Sequence, residues 1–183
     1  MNILVTALGT VSATSIARRL KLNSDVKVYG ADINPANVVY ASTEVDEYFR
    51  FPSVVNNPSY LDFIRDFCAT NEVDLVIPII DEEMELLTMN EGSFSEIGCH
   101  VLSPGKRAVD VCRNKFDTFE FIKGIAPEIY VPTEYLRDYQ DQFLLPVFVK
   151  PVSGRASIDC HRIDDATELD YFRAKQGLLS ELI

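Results

Sequence analysis

The sequence predicts an α/β protein: a Rossmann-like, doubly wound parallel sheet followed by a small α+β unit. Five short apolar runs of strand length alternate with segments whose apolar residues recur at helical spacing, which is the signature of a doubly wound parallel sheet. The run DLVIPI at 74–79 is almost entirely apolar, as expected of a strand buried on both faces. After Pro127 the pattern changes to strands that flank a loop, which indicates a second architecture.

The first part of the chain, 1–105, contains the elements of the parallel sheet. Its strands are predicted at 2–6, 26–30, 47–51, 74–79 and 99–102, and its helices at about 10–22, 58–70 and 81–92. Thr10 or Ser12 can cap the first helix, because a hydroxyl there accepts a hydrogen bond from a backbone N–H group that the helix leaves without a partner. Asp81, Glu82 and Glu83 begin the third helix, where acidic side chains stabilise the positive end.

The rest of the chain divides into a helical linker, 106–127, and an α+β unit, 128–183. The linker contains helices predicted at 106–113 and 115–123. The α+β unit contains strands predicted at 148–150 and 157–163, a helix at about 165–174 and a strand from 178 to the end. The first two of these strands flank the loop between them.

The acidic composition excludes several classes of partner. The net charge is -11 and the pI is about 4.6, whereas nonspecific binding to nucleic acid or to an anionic membrane needs a basic face. No apolar run approaches the roughly 20 residues of a membrane span, and no basic segment of a signal peptide precedes the first strand. The four cysteines, at 68, 99, 112 and 160, lie in or beside apolar segments and are interpreted as buried free thiols. We therefore expect a cytoplasmic protein that binds neither nucleic acid nor membranes.

The first glycine turn has the outline of a dinucleotide site. A strand leads into Gly9 and a helix, and Asp32 follows the second strand, where an acid would bind the ribose. The fingerprint of such sites has three glycines, and only Gly9 is present here. The sequence therefore favours a plain strand-to-helix turn, with a second turn at 32–35 that caps its own backbone. An NAD-linked oxidoreductase is the weaker interpretation.

The stretch VFVKPVSGRAS, at 147–157, admits two interpretations. Pro151 ends the ladder of a strand, and the loop from Ser153 to Ser157 consists mostly of small residues, whose backbone N–H groups can converge on phosphate oxygens. Lys150 and Arg155 would supply positive charge. A hairpin turn would have much the same composition, so these residues alone leave a hairpin and a phosphate loop equally open.

A series of motifs runs along essentially the whole chain. The first part contains NILVTALG, GADINP and VDLVIPIIDEEMELL, and the second contains CRNKFDTFEFIKG, VPTEY, LPVFVKPVSGRAS and LLSELI. In the order and spacing of these motifs the chain resembles the ATP-grasp superfamily, and within it the carbamoyl-phosphate-synthase-like ligases. The resemblance implies that 1–105 is a pre-ATP-grasp domain and that 128–183 is an ATP-grasp flap subdomain, truncated at its hinge strand.

The resemblance also implies ten nucleotide-binding positions. Lys115 matches a basic residue that reaches the phosphates from the start of the linker helix, and Lys150 matches one that contacts phosphate and adenine. The other eight match the flap over the phosphates (Ser153, Gly154, Arg155, Ala156 and Ser157) and the hinge strand that binds the edge and the ring of adenine (Glu181, Leu182 and Ile183).

Two departures from the family pattern bear on this assignment. Ala156 and Asp159 stand where the family commonly has glycine, and Asp159 adds negative charge near the phosphates. In the family the magnesium ligands, and the arginine that steadies the transferred phosphoryl group, lie beyond the hinge strand. This chain is therefore expected to supply neither catalytic residues nor metal ligands.

The function implied by the resemblance is that of a ligase with ATP and magnesium as cofactors. The full protein would activate a small-molecule carboxylate as an acyl phosphate, which an amine would attack, and a homodimer is one option for its assembly. This chain would be the N-terminal fragment, inactive by itself. The alternative is a non-catalytic Rossmann-like module that binds a metabolite or a protein.

Overall fold

The structure is a computed structural model that describes residues 1–139, 145–154, 157–174 and 181–182, the last two by their backbone alone. The chain divides into two compact units, Met1–Val109 and Asp110–Ile183. The division places most of the predicted helical linker in the second unit. The predicted three-part organisation into 1–105, 106–127 and 128–183 stays a prediction.

The first unit contains the predicted five-stranded parallel sheet. Its strands are β1 (Asn2–Val5), β2 (Lys27–Asp32), β3 (Glu47–Arg50), β4 (Leu75–Ile77) and β5 (His100–Val101), in the spatial order β3-β2-β1-β4-β5. All four neighbouring pairs are parallel. The strand order reverses between β1 and β4, and ligands of open α/β sheets bind at the carboxyl ends of the strands at such a switch point.

Helices connect the strands as predicted, with one difference. They are α1 (Val11–Leu20), α2 (Tyr60–Thr70), α3 (Asp81–Met89) and α4 (Glu91–Ser95), and short 3-10 turns occupy Ala36–Val38 and Tyr40–Thr43. Thr10 caps α1, because its hydroxyl accepts a hydrogen bond from the N–H group of Ala13 at 3.2 Å. The single helix predicted at 81–92 is broken at Asn90, whose side-chain amide donates to the Leu86 carbonyl at 2.7 Å. Such side-chain bonds compete with the helical backbone.

The sheet is covered on both faces, so the first unit has two apolar cores. Leu4 packs in one core with Ile64 of α2. Its neighbours Ile3 and Val5 pack in the other core with Ala13 of α1, because successive side chains of a strand point to opposite faces. This arrangement confirms the predicted Rossmann-like, doubly wound class.

The second unit is α+β. It contains α6 (Lys115–Ile125), a 3-10 turn at Pro127–Ile129, β6 (Val147–Lys150), β7 (His161–Ile163), α7 (Ala166–Ala174) and β8 (Glu181–Leu182); α5 (Lys106–Arg113) spans the boundary between the units. The three strands pair antiparallel in the order β7-β6-β8. Val147, Val149 and Ile163 of the sheet and Leu169 of α7 share a small core.

Two expectations from the sequence are wrong in detail. The strand predicted at 157–163 begins only at His161, because Ser157 and Asp159 have φ angles of 57° and 58°, in the left-handed region that strands exclude. Of the four cysteines only Cys68 and Cys99 are buried, whereas Cys112 is exposed and Cys160 is partly exposed. Within the described ranges, no helix is both long and apolar enough to cross a bilayer.

Candidate functional site

The start of α6 is fixed to the hairpin that contains β6 and β7. Asn114 caps the helix, because its side-chain oxygen accepts hydrogen bonds from the N–H groups of Phe116 at 2.9 Å and Asp117 at 3.2 Å. The N–H group of Lys115 donates to the Val152 carbonyl at 2.9 Å. These first-turn donors are therefore used within the chain, and an anion bound here would be held mainly by side chains and by the hairpin loop.

Both predicted lysines lie at this junction. The Lys115 ammonium donates to the Gly154 carbonyl at 3.4 Å. The Lys150 ammonium, at the end of β6, lies 4.2 Å from the centroid of the Phe119 ring, within the range of a cation–π interaction. Lys115 and Phe119 are four residues apart on α6, and residues at this spacing are neighbours on a helix surface. The Lys115 ammonium therefore contacts the hairpin loop, and the Lys150 ammonium contacts the helix that begins at Lys115.

The hairpin loop is described in part. Ser153, Gly154 and Ser157 are described, whereas Arg155 and Ala156 lie outside the described residues. In the part of the chain that the structure describes, the N–H groups of Ser153 and Gly154 donate no hydrogen bond. They are the type of donor that phosphate-binding loops present.

The predicted hinge strand lies beside β6. In β8 the backbone of Glu181 pairs with Lys150 and that of Leu182 pairs with Val149, while Ile183 lies outside the described residues. The backbone therefore places the predicted adenine-binding strand next to the strand that ends in Lys150.

Phe119 was not among the residues predicted from the sequence. A signal was available, because Phe119 follows Lys115 by one helical turn in the motif KFDTF. The sequence alone does not show that Lys150 reaches this ring, since their contact depends on how the hairpin packs against α6.

A second polar cluster lies in the first unit, where α2 and α3 begin. The hydroxyl groups of Thr6 and Tyr60 donate to the two carboxylate oxygens of Glu83. Burial raises the pKa of Glu83 above its usual range. Burial also raises the pKa of Tyr60, and the neighbouring Glu83 charge adds to this shift. Glu83 is therefore a buried side chain that links Thr6 and Tyr60 by hydrogen bonds, and not only a charge at the helix end, as the sequence suggested.

Both carboxylate oxygens of Asp32 accept hydrogen bonds from nearby groups of the first unit. One carboxylate oxygen accepts from the N–H group of Gly9 at 2.8 Å, and the other accepts from the N–H and the side-chain amide of Asn34 at 3.0 and 2.9 Å. Only 7% of Asp32 is exposed. The predicted self-capping turn is confirmed, and these contacts weigh against a ribose-binding role for Asp32.

Comparison with known proteins assigns the first unit to a family. A family model described as PylC-like, N-terminal domain, matches residues 3–102, which is more than half of the chain. The chain belongs to the PylC-like family. No curated protein matches the sequence significantly.

Solved structures resemble the PylC-like chain over almost its whole length. The L-amino acid ligase from Bacillus licheniformis has a TM-score of 0.65 and 17% sequence identity, over 99% of this chain and 43% of that one. The biotin carboxylase domain dimer of Hydrogenobacter thermophilus 2-oxoglutarate carboxylase, solved with MgADP, ADP and bicarbonate, has a TM-score of 0.65 and 16% identity, over 99% and 43%. Biotin carboxylase from Campylobacter jejuni, solved as a β-γ-ATP complex, has a TM-score of 0.63 and 13% identity, over 99% and 44%.

At these identities the resemblance shows the fold alone. Taken together with the family match over residues 3–102, this fold confirms the resemblance to the N-terminal part of the ATP-grasp superfamily. The narrower resemblance to carbamoyl-phosphate-synthase-like ligases stays a prediction. The PylC-like chain spans 43% of the length of each of the first two structures.

The PylC-like domain also contains an open groove of about 540 Å³ between α3 and the segment that precedes α2. Its lining residues are Val54, Val55, Asn56, Asn57, Pro58, Leu61, Glu82, Glu85, Leu86 and Met89. None of the ten predicted nucleotide-binding residues lines it. Among the residues whose placement is described, no three His, Cys, Asp or Glu side chains are grouped as a metal site would require.

Proposed function

We propose that this chain is the N-terminal domain and nucleotide flap of an ATP-dependent carboxylate–amine ligase of the carbamoyl-phosphate-synthase-like kind. The observation that carries the proposal is a pair of contacts on α6: the Lys115 ammonium donates to the Gly154 carbonyl of the hairpin, and the Lys150 ammonium lies over the ring of Phe119, four residues after Lys115. Separate motifs supply these residues, and both contacts involve α6 and the hairpin.

The donor set fits a triphosphate. Lysine ammonium groups and convergent backbone N–H groups are both common ligands of phosphate oxygens. Ser153 and Gly154 offer N–H groups that the described contacts leave unused. We propose that Arg155, Ala156 and Ser157 complete the flap, and that Glu181, Leu182 and Ile183 bind adenine beside β6.

The chemistry proposed for the full protein is transfer of the γ-phosphoryl group of ATP to a carboxylate, which gives an acyl phosphate and ADP. An amine then attacks the acyl carbon and displaces inorganic phosphate. MgATP would supply the phosphoryl group, while Lys115 and Lys150 would hold the negative charge of the phosphates in a fixed position. The metal ligands and the phosphoryl-steadying arginine are expected from parts of the family fold that follow β8. We therefore expect residues 1–183 to bind MgATP without carboxylate-dependent phosphate release.

Two further features of the full protein are proposed. A cytoplasmic location is supported by the free thiols of Cys68 and Cys99, which share one core, because unpaired cysteines are typical of reducing compartments. A homodimer is supported only by analogy with the biotin carboxylase domain dimer of 2-oxoglutarate carboxylase.

Titration calorimetry with MgATP tests the proposed nucleotide site. We expect Lys115→Ala and Lys150→Ala each to weaken binding about 10- to 100-fold, because each removes a charge-assisted contact worth about 1.5–3 kcal/mol. Lys123→Ala is the matched control, since Lys123 is exposed on the same helix and pairs with Glu120 at 3.2 Å. Circular dichroism checks that each variant is folded.

The same titration separates the ligase from the alternative, a non-catalytic Rossmann-like binding module. Such a module predicts no MgATP binding that depends on the two lysines. Equal affinities for the unmodified chain, Lys115→Ala and Lys150→Ala would remove these lysines from any nucleotide site and contradict the proposal.

A further inference from the structure

Phe119 provides the surface on which the Lys150 ammonium lies. The ring belongs to α6, one turn after Lys115, and its centroid is 4.2 Å from Nζ of Lys150. Lys150 is the last residue of β6, so its side chain extends from the end of that strand to the helix. This contact therefore joins the two elements that supply the proposed phosphate-binding cations.

An aromatic ring is suited to holding a cation that must also bind an anion. The negative face of the ring attracts the ammonium group, but the ring carries no net charge and leaves the positive charge of lysine intact. Lysine has a long, flexible side chain, and orienting it before a ligand arrives reduces the ordering cost of binding.

We propose that Phe119 is a positioning residue that orients the Lys150 ammonium toward the phosphates of the nucleotide. The inference rests on the proposed nucleotide site and deepens it. Phe119 acts through Lys150 and touches no reacting atom. The simpler explanation is that Phe119 only packs against the aliphatic part of the lysine, in which case any apolar side chain of similar size would serve as well.

Proton NMR of the unmodified chain tests the contact without a nucleotide. Protons held above the face of an aromatic ring are shifted upfield by its ring current. We expect the ε-methylene protons of Lys150, assigned by their loss in Lys150→Met, to resonate upfield of the other lysines. Phe119→Leu should return them to ordinary lysine values, while Phe119→Tyr should keep the shift. Phe121→Leu is the matched control, because Phe121 is 45% exposed on the same helix.

The functional part of the inference is tested by MgATP affinity in a double-mutant cycle. Phe119→Leu should weaken binding about two- to five-fold, the range expected for loss of one partly exposed cation–π contact, and Phe119→Tyr should restore it. In a Lys150→Met background, Phe119→Leu should have no further effect, because the group that it positions is absent. A purely structural role would lower the affinity equally in both backgrounds.

The outcomes separate this inference from the proposed function. An ordinary Lys150 shift, or additive effects of the two substitutions, would overturn the positioning role even if MgATP binds. Failure of the unmodified chain to bind MgATP would overturn the nucleotide site and, with it, the role of Phe119 in that site. An upfield shift together with non-additive effects supports both.

Discussion

Glu83 shows how one residue can serve a different purpose from the one its position in the sequence suggests. Acidic residues in the first turn of a helix ordinarily stabilise its positive end from the surface. Glu83 is instead 6% exposed and receives hydrogen bonds from Thr6 and Tyr60. Two donors compensate part of the cost of burying a carboxylate, but burial still raises the pKa of Glu83.

The raised pKa predicts a pH-dependent stability. Below the ordinary glutamate value of 4.5, Glu83 is protonated in both the folded and the unfolded chain. As the pH rises above that value, the unfolded chain ionises first and the folded state loses stability, until the folded pKa is passed. Glu83→Gln lacks this loss, so we expect its free energy of unfolding relative to the unmodified chain to rise with pH, by up to about 1.4 kcal/mol per pH unit in this window.

Urea unfolding at several pH values between 4 and 8 measures this difference. Glu96→Gln is the control, because Glu96 is exposed in the same unit, and its difference from the unmodified chain should stay nearly constant with pH. A constant difference for Glu83→Gln as well would show that Glu83 ionises in the folded protein as readily as in the unfolded chain.

Lysines of the candidate site could be predicted from the sequence, but their surroundings could not. Lys115 and Lys150 stand in motifs whose order resembles a known family, so their grouping could be expected before the structure was available. The hydrogen-bond partners of Glu83 could not be predicted from the sequence, because Thr6 and Tyr60 are 77 and 23 residues away in the chain. Such contacts depend on how strands and helices pack, which hydrophobic periodicity does not specify.

Among the secondary-structure elements, the hairpin of β6 and β7 shows both the success and the limit of pattern reasoning. The sequence left a hairpin and a phosphate loop equally open, and the structure contains the hairpin with the loop at its tip. The start of β7 was predicted too early, because Ser157 and Asp159 have left-handed backbone angles. Neither residue is glycine, so composition did not reveal the turn.

The charge of Asp159 provides a prediction for the hairpin. Asp159 follows the loop proposed to cover the phosphates by two residues, so its carboxylate would repel phosphates bound there. Asp159→Asn removes the charge and keeps a residue type that tolerates the φ angle of 58°. We expect MgATP to bind about two- to five-fold more tightly at low salt, and calorimetry at increasing salt should show the gain shrinking as screening increases.

Asp170→Asn is the control for this element, because Asp170 is an exposed residue of α7 whose ion pair with Arg173 spans 3.6 Å. An equal gain in affinity from Asp170→Asn would indicate that only the net charge of the chain matters. Weaker binding by Asp159→Asn would show that the carboxylate itself helps to hold the loop or the ligand.

At the scale of the whole molecule, the fold class can be predicted from the pattern of apolar residues along the chain. Alternation of strand-length and helix-length apolar segments predicted the parallel sheet, and the order β3-β2-β1-β4-β5 is a doubly wound arrangement. The second unit differs in pattern because its first two strands flank a loop and have no helix among the described residues between them. In the parallel sheet the observed strand ends differ from the predicted ones by at most two residues, since hydrogen-bond ladders end where the backbone turns and not where apolar character ends.

The division into two units predicts which part of the chain a bound nucleotide protects from hydrogen exchange. If MgATP binds the proposed site, local opening of α6 and β6 must first release the ligand, so the ligand slows hydrogen exchange there roughly in proportion to its excess over Kd. At a concentration of ten times Kd we expect about tenfold slower exchange in the second unit. Strands β1 and β4 of the first unit should exchange at unchanged rates. Protection confined to the carboxyl ends of β1 and β4 would instead locate the ligand at the switch point of the sheet and favour the non-catalytic module.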